Sequence, residues 1–307
     1  MTRVSSFGHT QAMINSILSN QQRVFTAQKQ VNSGRVADEF RGFSGQTTAL
    51  LGAQSLKIRT DSYTSTIKTV NGRLEGNDVQ LEGILEQVRE LRQAMLVSIS
   101  EEKAFGFEDQ LKSVFNFTAS ALNTNIGGVF IFAGSKTDVP PVSVSTVDDL
   151  LALATSDDAF ENDNIPSRAR VADNVEVDFG LLADDIASEV FASIRRIAEF
   201  HNGPSGPLDG ELDSVQRAFL VNELPLLDQA IQQAQSVQVR NGIQFGRLET
   251  LGDQHAGSSV FLETFIADIQ DVDIAEAVTR LNNDQLALQA SYQLVGQLAD
   301  LSLLNFL

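Results

Sequence analysis

Apolar residues recur along the first third of the chain at alternating steps of four and three residues. From Ala49 onward the pattern runs through Ala53, Leu56, Thr60, Tyr63, Ile67, Val70, Leu74, Asn77, Leu81, Ile84, Val88, Leu91 and Met95. Only Thr60 and Asn77 interrupt it, so the pattern predicts one long helix with a coiled-coil seam. That helix would be about 70 Å long. A compact chain of this size has a radius of gyration of only about 19 Å. Because the predicted helix is much longer than that, we expect a rod, or a rod carrying a globule.

Shorter stripes of the same kind occupy the two ends of the chain. The N-terminal stripe comprises Met13, Ile17, Asn20, Val24, Ala27 and Val31 and is followed by a helix stop at Ser33-Gly34. The C-terminal stripe comprises Val278, Leu281, Gln285, Leu288, Tyr292, Val295 and Ala299. We expect the two ends to form helices that pack together.

The middle of the chain changes period. A shorter helix is predicted from Phe107 to Asn125, and the glycine-bounded run GGVFIFAGS at 127–135 indicates a strand or tight β-turn. The sequence ARVADNVEVDF at 169–179 alternates around Asp173-Asn174 and predicts a hairpin. Helical patterning returns at Ile186–Phe200, stops in the Gly- and Pro-rich loop 201–210, and resumes from Glu211, with kinks expected at Pro225 and near Gly252.

These elements predict a mainly α fold, in which N- and C-terminal segments form a long antiparallel coiled-coil-like helical rod with a small β-containing central insert. We expect four parts. They are an N-terminal assembly helix and loop at 1–48, a discontinuous helical rod domain at 49–137 and 205–265, an acidic β-containing insert at 138–204 forming a separate lobe, and a C-terminal assembly helix at 266–307.

The last ten residues, LADLSLLNFL at 298–307, are apolar on every side of the predicted helix. Burying five leucines and one phenylalanine yields about 10 kcal/mol. Ordering ten residues costs as much or more, at roughly 1 to 2 kcal/mol per residue for the backbone alone. One neighbouring helix covers too little surface to offset that cost. We therefore expect burial against other subunits, with both termini folding on assembly; a central helix in an ordinary bundle is the alternative.

Charge and composition narrow the classes of partner. The formal net charge is −18, which argues against nucleic acid and against an anionic membrane surface. From Asp138 to Glu189 there are 13 acidic residues against two basic ones, so much of the excess negative charge lies in the insert. The chain has no cysteine, which excludes disulfides and thiolate chemistry. We find neither a signal-peptide apolar core near the N-terminus nor a run long enough to span a membrane.

Catalytic signatures are missing from the sequence. We find no phosphate-binding loop, dinucleotide fingerprint, zinc-protease motif or nucleophile elbow. His9, His201 and His255 are isolated, and the acidic stretch at 155–164 lacks the glycine and terminal glutamate of an EF-hand loop. The sequence therefore predicts no enzyme, no cofactor and no metal site.

Several stretches together resemble the bacterial flagellin family, and within it the proteins of the hook–filament junction. The resemblance covers both helical ends and weakens through the acidic middle. It rests on LEQVRELRQAM at 85–95, GGVFIFAGSKTDVPP at 127–141, GRLE at 246–249, DVDIAEA at 271–277 and QASYQLVGQLADLSLLNFL at 289–307. The Gly-x-Phe-x-Phe-x-Gly pattern of Gly128, Phe130, Phe132 and Gly134 favours a junction protein over a filament flagellin. One departure is the loop VADEFRGFSGQTT at 36–48, which lacks the proline usual in the family.

The resemblance implies a structural protein of the bacterial flagellum, exported through the flagellar type III channel without a cleaved signal and located outside the cell. Its implied partners are further copies in a ring or helical assembly, a neighbouring hook-associated protein, flagellin and an export chaperone. The expected subunit-interface residues are Ile17, Val24, Val31, Leu281, Leu288, Tyr292, Val295, Leu298, Leu301, Leu304, Phe306 and Leu307. A filament-forming flagellin and a surface protein that binds through its acidic insert are the alternatives.

Overall fold

The computed structural model describes residues 2–43 and 45–304, with side chains placed over 11–43 and 45–297. Its helices are α1 (Thr2–Ser33), α2 (Thr47–Glu101), α3 (Phe107–Leu122), α4 (Val147–Ala152), α5 (Ala183–His201), α6 (Ser214–Gln270) and α7 (Ile274–Leu304). Short 3-10 turns lie at Phe40–Phe43 and Asp157–Ala159. The strands are β1 (Asn125–Ile126), β2 (Val129–Phe130), β3 (Arg168–Ala172) and β4 (Val175–Asp178). The predicted fold class, mainly helical with small two-stranded sheets in a central region, is confirmed.

The heptad pattern of α2 corresponds closely to its burial. From Thr60 to Met95 the seam positions are buried, apart from the half-buried Tyr63, and even the polar Thr60 and Asn77 follow the stripe inward. Nearer the start of the stripe the correspondence is weaker, since Ala53 is buried but Ala49 and Leu56 are exposed. The chain divides into two compact units, a terminal unit of Met1–Arg59 with Gly257–Leu307 and a central unit of Thr60–Ala256.

The core of the central unit forms between antiparallel stretches of α2 and α6, joined by α3 and α5. Arg92 on α2 pairs with Asp228 on α6, while Asn241, further along α6, bonds the carbonyl oxygen of Leu74. Because the residue numbers run in opposite directions, the two helices are antiparallel. The core includes Leu81, Ile84, Leu85, Val88, Leu91, Phe115, Val190, Phe191, Ile194 and Leu227.

Segments of the acidic insert contribute to this same core. Val142, Leu150 and Phe191 are buried in it together with the α2 and α3 side chains. The ring of Phe191 lies 5.0 Å from that of Phe115 on α3 and 5.1 Å from that of Phe160 in the insert, measured between centroids. The apolar side chains of these segments are therefore buried against the helices.

The predicted hairpin at 169–179 is confirmed as β3 and β4, which pair antiparallel with a register shift between Arg170 and Ala172. Its turn includes Asn174 in the left-handed conformation, at φ 61°, which asparagine tolerates better than most residues. Two contacts attach the hairpin to the long helices: Tyr63 donates to Asp173 over 2.8 Å, and His255 Nε2 lies 2.8 Å from the carbonyl oxygen of Val171.

The glycine-aromatic run at 127–135 forms a tight turn followed by buried chain. Gly127 and Gly128, both at positive φ, connect β1 to β2, as a two-residue hairpin requires. Phe132 is then fully buried in the core of the central unit. Gly134, at φ 70°, sits so close to Asp163 that a Cβ there would meet Oδ1 at 2.3 Å. The predicted β-turn element is present. Its glycines are explained by their positive φ angles and, at Gly134, by the lack of room for a Cβ.

Candidate assembly surface

The terminal unit is built on α1 and α7, which run antiparallel. The side chains of α1 that turn towards α7 recur at steps of three and four and match the predicted stripe of Met13, Ile17, Asn20, Val24, Ala27 and Val31. Where side chains are described, over 11–33 of α1 and 274–297 of α7, the fully buried apolar residues are small, namely Ala27 and Ala277. The larger apolar residues of the stripe stay half-exposed, so the two helices alone bury little apolar area.

A polar cluster lies in the middle of this helix pair. Asn20, only 6% exposed, donates from Nδ2 to Ser291 Oγ over 2.7 Å and accepts from Arg23. Arg23 Nε also lies 3.6 Å from Asp284, whose side chain is 14% exposed. Polar residues that satisfy one another inside a helix interface specify register, because any shift along the axis would separate them.

The structure places the predicted interface residues at different depths. Ile17, Val24 and Val31 on α1, and Leu281, Leu288 and Val295 on α7, are half-buried between the two helices. Tyr292 is 49% exposed, and its hydroxyl accepts a hydrogen bond from Gln21 over 2.7 Å. Leu298, Leu301 and Leu304 belong to α7, but their side chains lie outside the described residues, as do Phe306 and Leu307 altogether.

The predicted C-terminal stripe is correct at alternate positions only. Leu281, Leu288 and Val295 face α1, and the residues that alternate with them on that side of α7 are Ala277, Asp284 and Ser291. The expected Val278, Gln285 and Tyr292 are each one residue further along and exposed. At each of these steps the heptad spacing allows either of two adjacent residues to face α1. The pairing selects small side chains, or polar ones with a partner on α1, over the bulkier neighbours.

A second apolar stripe runs along the outside of α1. Ile14, Leu18 and Phe25 are 44%, 57% and 61% exposed. At about 100° per residue they share one side of the helix, roughly 120° away from the side that faces α7. The exposed Leu286 and Leu294 on α7 share no stripe with the residues facing α1. A row of large exposed apolar side chains is typical of an interaction surface.

The turn after α1 is bound to the junction between α6 and α7. The amide of Val36 donates to the carbonyl of Gln270, and the amide of Val272 donates to the carbonyl of Gly34, each over 2.9 Å. Asp273 then caps α7, since its Oδ1 accepts from the amides of Ala275 and Glu276 at 2.8 and 3.1 Å. The loop and both helix ends form one hydrogen-bonded corner.

A groove of about 560 Å³ lies between α1 and the following loop. Phe25 lines it on one side, and Val36, Lys29 and Arg41 lie among the other lining residues. Lys29 and Asp38 form an ion pair of 2.6 Å across it, and the hydrogen bond with Asp38 raises the pKa of Lys29 above its ordinary value. This contact is exposed to solvent, so it adds little stability, but it ties the loop to α1.

Within the described residues, no three or more histidine, aspartate or glutamate side chains are grouped so that they could hold a metal ion. None of the helices, over the same part of the chain, combines the length and apolar character needed to cross a membrane.

The sequence profile of the bacterial flagellin C-terminal helical region matches residues 224–307. These residues cover most of α6 and all of α7, including the motifs GRLE and DVDIAEA. The resemblance to the flagellin family noted from the motifs is therefore confirmed for this part of the chain. No curated protein matches the sequence significantly.

Solved structures share the fold. A protein of Vibrio parahaemolyticus assigned as a flagellar hook-associated protein aligns with a TM-score of 0.58 and 19% identity, over 72% of this chain and 96% of its own. FlgL of Bacillus cereus aligns with a TM-score of 0.53 and 14% identity, over 71% of this chain and 99% of its own. At these identities the two structures show a shared fold, while the match to the flagellin C-terminal helical region covers residues 224–307.

Proposed function

We propose that the chain is a hook–filament junction subunit of the bacterial flagellum, and that its terminal helices pack against neighbouring subunits. The observation that carries the packing role is the uncovered stripe of Ile14, Leu18 and Phe25 on α1. Full burial of each such side chain yields roughly 1.5 to 3 kcal/mol. A neighbouring subunit that covers the stripe would bury these side chains, which α7 does not cover.

The composition of the α1 and α7 contact supports the same role. Among the described side chains, the fully buried apolar residues of that contact are the alanines Ala27 and Ala277, and its centre is polar. Most helical stability in proteins comes from packing of an apolar face rather than from helix propensity. A pair packed in this way gains from a third and fourth helix, which a ring or helical assembly provides.

The proposed interface with neighbouring subunits keeps the residues expected from the sequence, of which six are half-buried in the contact of α1 and α7, one is exposed and five lie outside the described side chains. These are Ile17, Val24, Val31, Leu281, Leu288, Tyr292, Val295, Leu298, Leu301, Leu304, Phe306 and Leu307, joined now by Ile14, Leu18 and Phe25. The acidic insert would face solvent, where its carboxylates stay hydrated.

The choice of the junction over the filament rests on the glycine-aromatic element at 127–135 and on the fold shared with the hook-associated protein. The partners in this proposal are further copies of the chain, a neighbouring hook-associated protein, flagellin and an export chaperone. Export through the flagellar type III channel without a cleaved signal peptide, and a location outside the cell, belong to the same proposal.

Deleting the gene in a motile host tests the role, with electron microscopy of the cells and an assay of flagellin in the medium. The proposal expects intact hooks without filaments, together with unpolymerised flagellin shed into the medium. Hooks without shed flagellin would make the chain the filament subunit instead. Normal filaments would exclude both roles and favour a surface protein that binds through its acidic insert.

A further inference from the structure

The central unit contains two hydrophobic clusters, with a polar layer between them. The larger cluster reaches Leu81 on α2 and Val237 on α6. The smaller one, covered by the β3 and β4 hairpin, includes Leu74 and Leu248. Between them the seam positions are Asn77 and Asn241, each only 2% exposed. The apolar seam of the two long helices is thus interrupted at one level.

Amide oxygens at this level have no partner among the described residues. Asn241 donates from Nδ2 to the carbonyl of Leu74 over 2.8 Å, which directs its Oδ1 away from that bond. The oxygens Asn241 Oδ1, Asn71 Oδ1, Asn77 Oδ1 and Gln244 Oε1 are all buried without a hydrogen bond. We call these four residues the amide belt. Buried acceptors without donors favour any conformation that exposes them to water.

Glycines weaken both helices at the amide belt. Gly72 on α2 and Gly242 and Gly246 on α6 lie inside long helices, and a Cβ at any of them would meet nothing within 4 Å. Packing therefore does not require glycine here. Glycine inside a helix favours the unfolded backbone relative to alanine. Both helices thus have a low local preference for the helical state at the level where their contact is polar.

Surface clefts flank the same level. One cleft of about 350 Å³ and another of about 180 Å³ are each lined by Leu74 and Asn241. The belt therefore lies beside two volumes that no side chain fills.

We propose that the amide belt is a conformational joint, at which the hairpin end of the central unit opens cooperatively while the larger cluster stays folded. The opening segment comprises residues 60–77, 168–178 and 241–256, which include the whole smaller cluster. Local opening of this kind proceeds in contiguous cooperative units, whose boundaries fall where apolar contacts are few. The joint is a property of the isolated chain and does not depend on the junction role.

Native-state hydrogen exchange of the purified full chain in increasing urea tests the joint. Amides near Ile67, Val70 and Leu248 should exchange through an opening with a weaker urea dependence than amides near Leu85, Val88 and Leu91, because less surface is exposed. If both groups exchange with one common urea dependence, the two clusters unfold together and the proposal is wrong.

Glycine substitutions provide a matched comparison. Gly72→Ala with Gly242→Ala should slow exchange in the smaller cluster by about 15- to 30-fold, since each alanine favours the helix by several-fold. Gly52→Ala with Gly257→Ala changes the same two helices outside the belt, also with nothing within 4 Å of the added Cβ. This control should leave exchange in the smaller cluster unchanged. Equal slowing by both pairs would overturn the joint.

Replacing the polar layer supplies a second, independent variant. Asn77→Leu with Asn241→Leu removes two unpartnered oxygens and joins the two apolar clusters. Both groups of amides should then show the same urea dependence. A separate opening of the smaller cluster that persists in a folded double variant would contradict the role of the belt.

Discussion

Asn20 on α1 donates a hydrogen bond to Ser291 on α7 over 2.7 Å, although the two residues are 271 positions apart in sequence. Asn20 also accepts from Arg23, which reaches Asp284 on α7. The helix pair is therefore held in one register by a polar group at its centre rather than by large apolar side chains. The cluster therefore fixes how the two terminal helices are aligned along their axes.

Removing the centre of that cluster should loosen the helix pair. Asn20→Ala deprives Ser291 and Arg23 of a partner, and we expect a loss of about 1 kcal/mol in the stability of the pairing. Hydrogen exchange of α7 amides between residues 277 and 295 should accelerate about fivefold. Gln11→Ala is the control, because Gln11 is exposed and its hydrogen bond among the described residues is a local one, to Asn15. Equal acceleration by both substitutions would contradict the role of the cluster.

A charge in the seam of α2 should destabilise the central unit. Ile84 is fully buried in the larger cluster, so Ile84→Asp should lower the free energy of unfolding by about 3 kcal/mol or more. Thermal and urea denaturation measure the loss. Val79→Asp on the same helix provides the matched control, since Val79 is 65% exposed and its replacement should have little effect. An unchanged melting temperature for Ile84→Asp would count against the buried seam.

Most of the helical architecture follows from local sequence. The α2 seam was predictable because its heptad stripe extends over many turns, and the 169–179 hairpin because alternation flanks Asp173-Asn174. Pro225, where the sequence predicts a kink, lies inside α6, which continues through it as one helix. The start of α6 at Ser214, rather than Glu211, reflects Asp213, whose Oδ1 accepts from the amides of Val215 and Gln216.

The details of the candidate surface could not be predicted in the same way. The sequence favoured Val278 and Tyr292 for the α7 stripe because they are apolar, whereas the pairing selects Ala277 and Ser291. Choosing Ser291 requires knowing that Asn20 lies opposite, and that is long-range information. The exposed Ile14, Leu18 and Phe25 could have been found as a second stripe on α1, had the pattern been followed around the whole helix.

The pH dependence of stability should show the effect of Glu223. Burial raises the pKa of this carboxyl above its ordinary value of 4.5, although its hydrogen bond and ion pair with Arg196 at 2.6 Å lower it in part. The folded state therefore binds the proton more readily than the unfolded state. Between 4.5 and the raised pKa, this group contributes stability as the pH falls and loses it as the pH rises.

Glu223→Gln isolates that contribution. The free energy of unfolding of the wild type minus that of the variant should be larger near about pH 4.5 than near about pH 7.5. Urea denaturation at the two pH values measures the difference. Glu82→Gln, an exposed glutamate on α2, should show no such trend. A difference that grows with rising pH would mean that the pairing with Arg196 outweighs burial.

Charges near the end of α7 should block assembly without unfolding the central unit. Leu301→Asp with Leu304→Asp places two carboxylates where we propose that other subunits pack, and desolvating them would be costly. The purified variant should keep the melting transition of the central unit, while swimming and incorporation into flagella are lost. Gln297→Asp, at an exposed position of α7, is the control; normal motility of the double variant would refute the packing role.

Thiol labelling most directly tests whether a neighbouring subunit covers the outer stripe of α1. The chain has no cysteine, so Leu18→Cys can be labelled with a maleimide without background, with the exposed insert position Ala154→Cys as the control. Labelling is compared between the purified monomer and flagella isolated from complemented cells. The account predicts that Leu18→Cys reacts in the monomer and is protected in the flagellum, while Ala154→Cys reacts in both. Equal labelling of Leu18→Cys in the two states would contradict it.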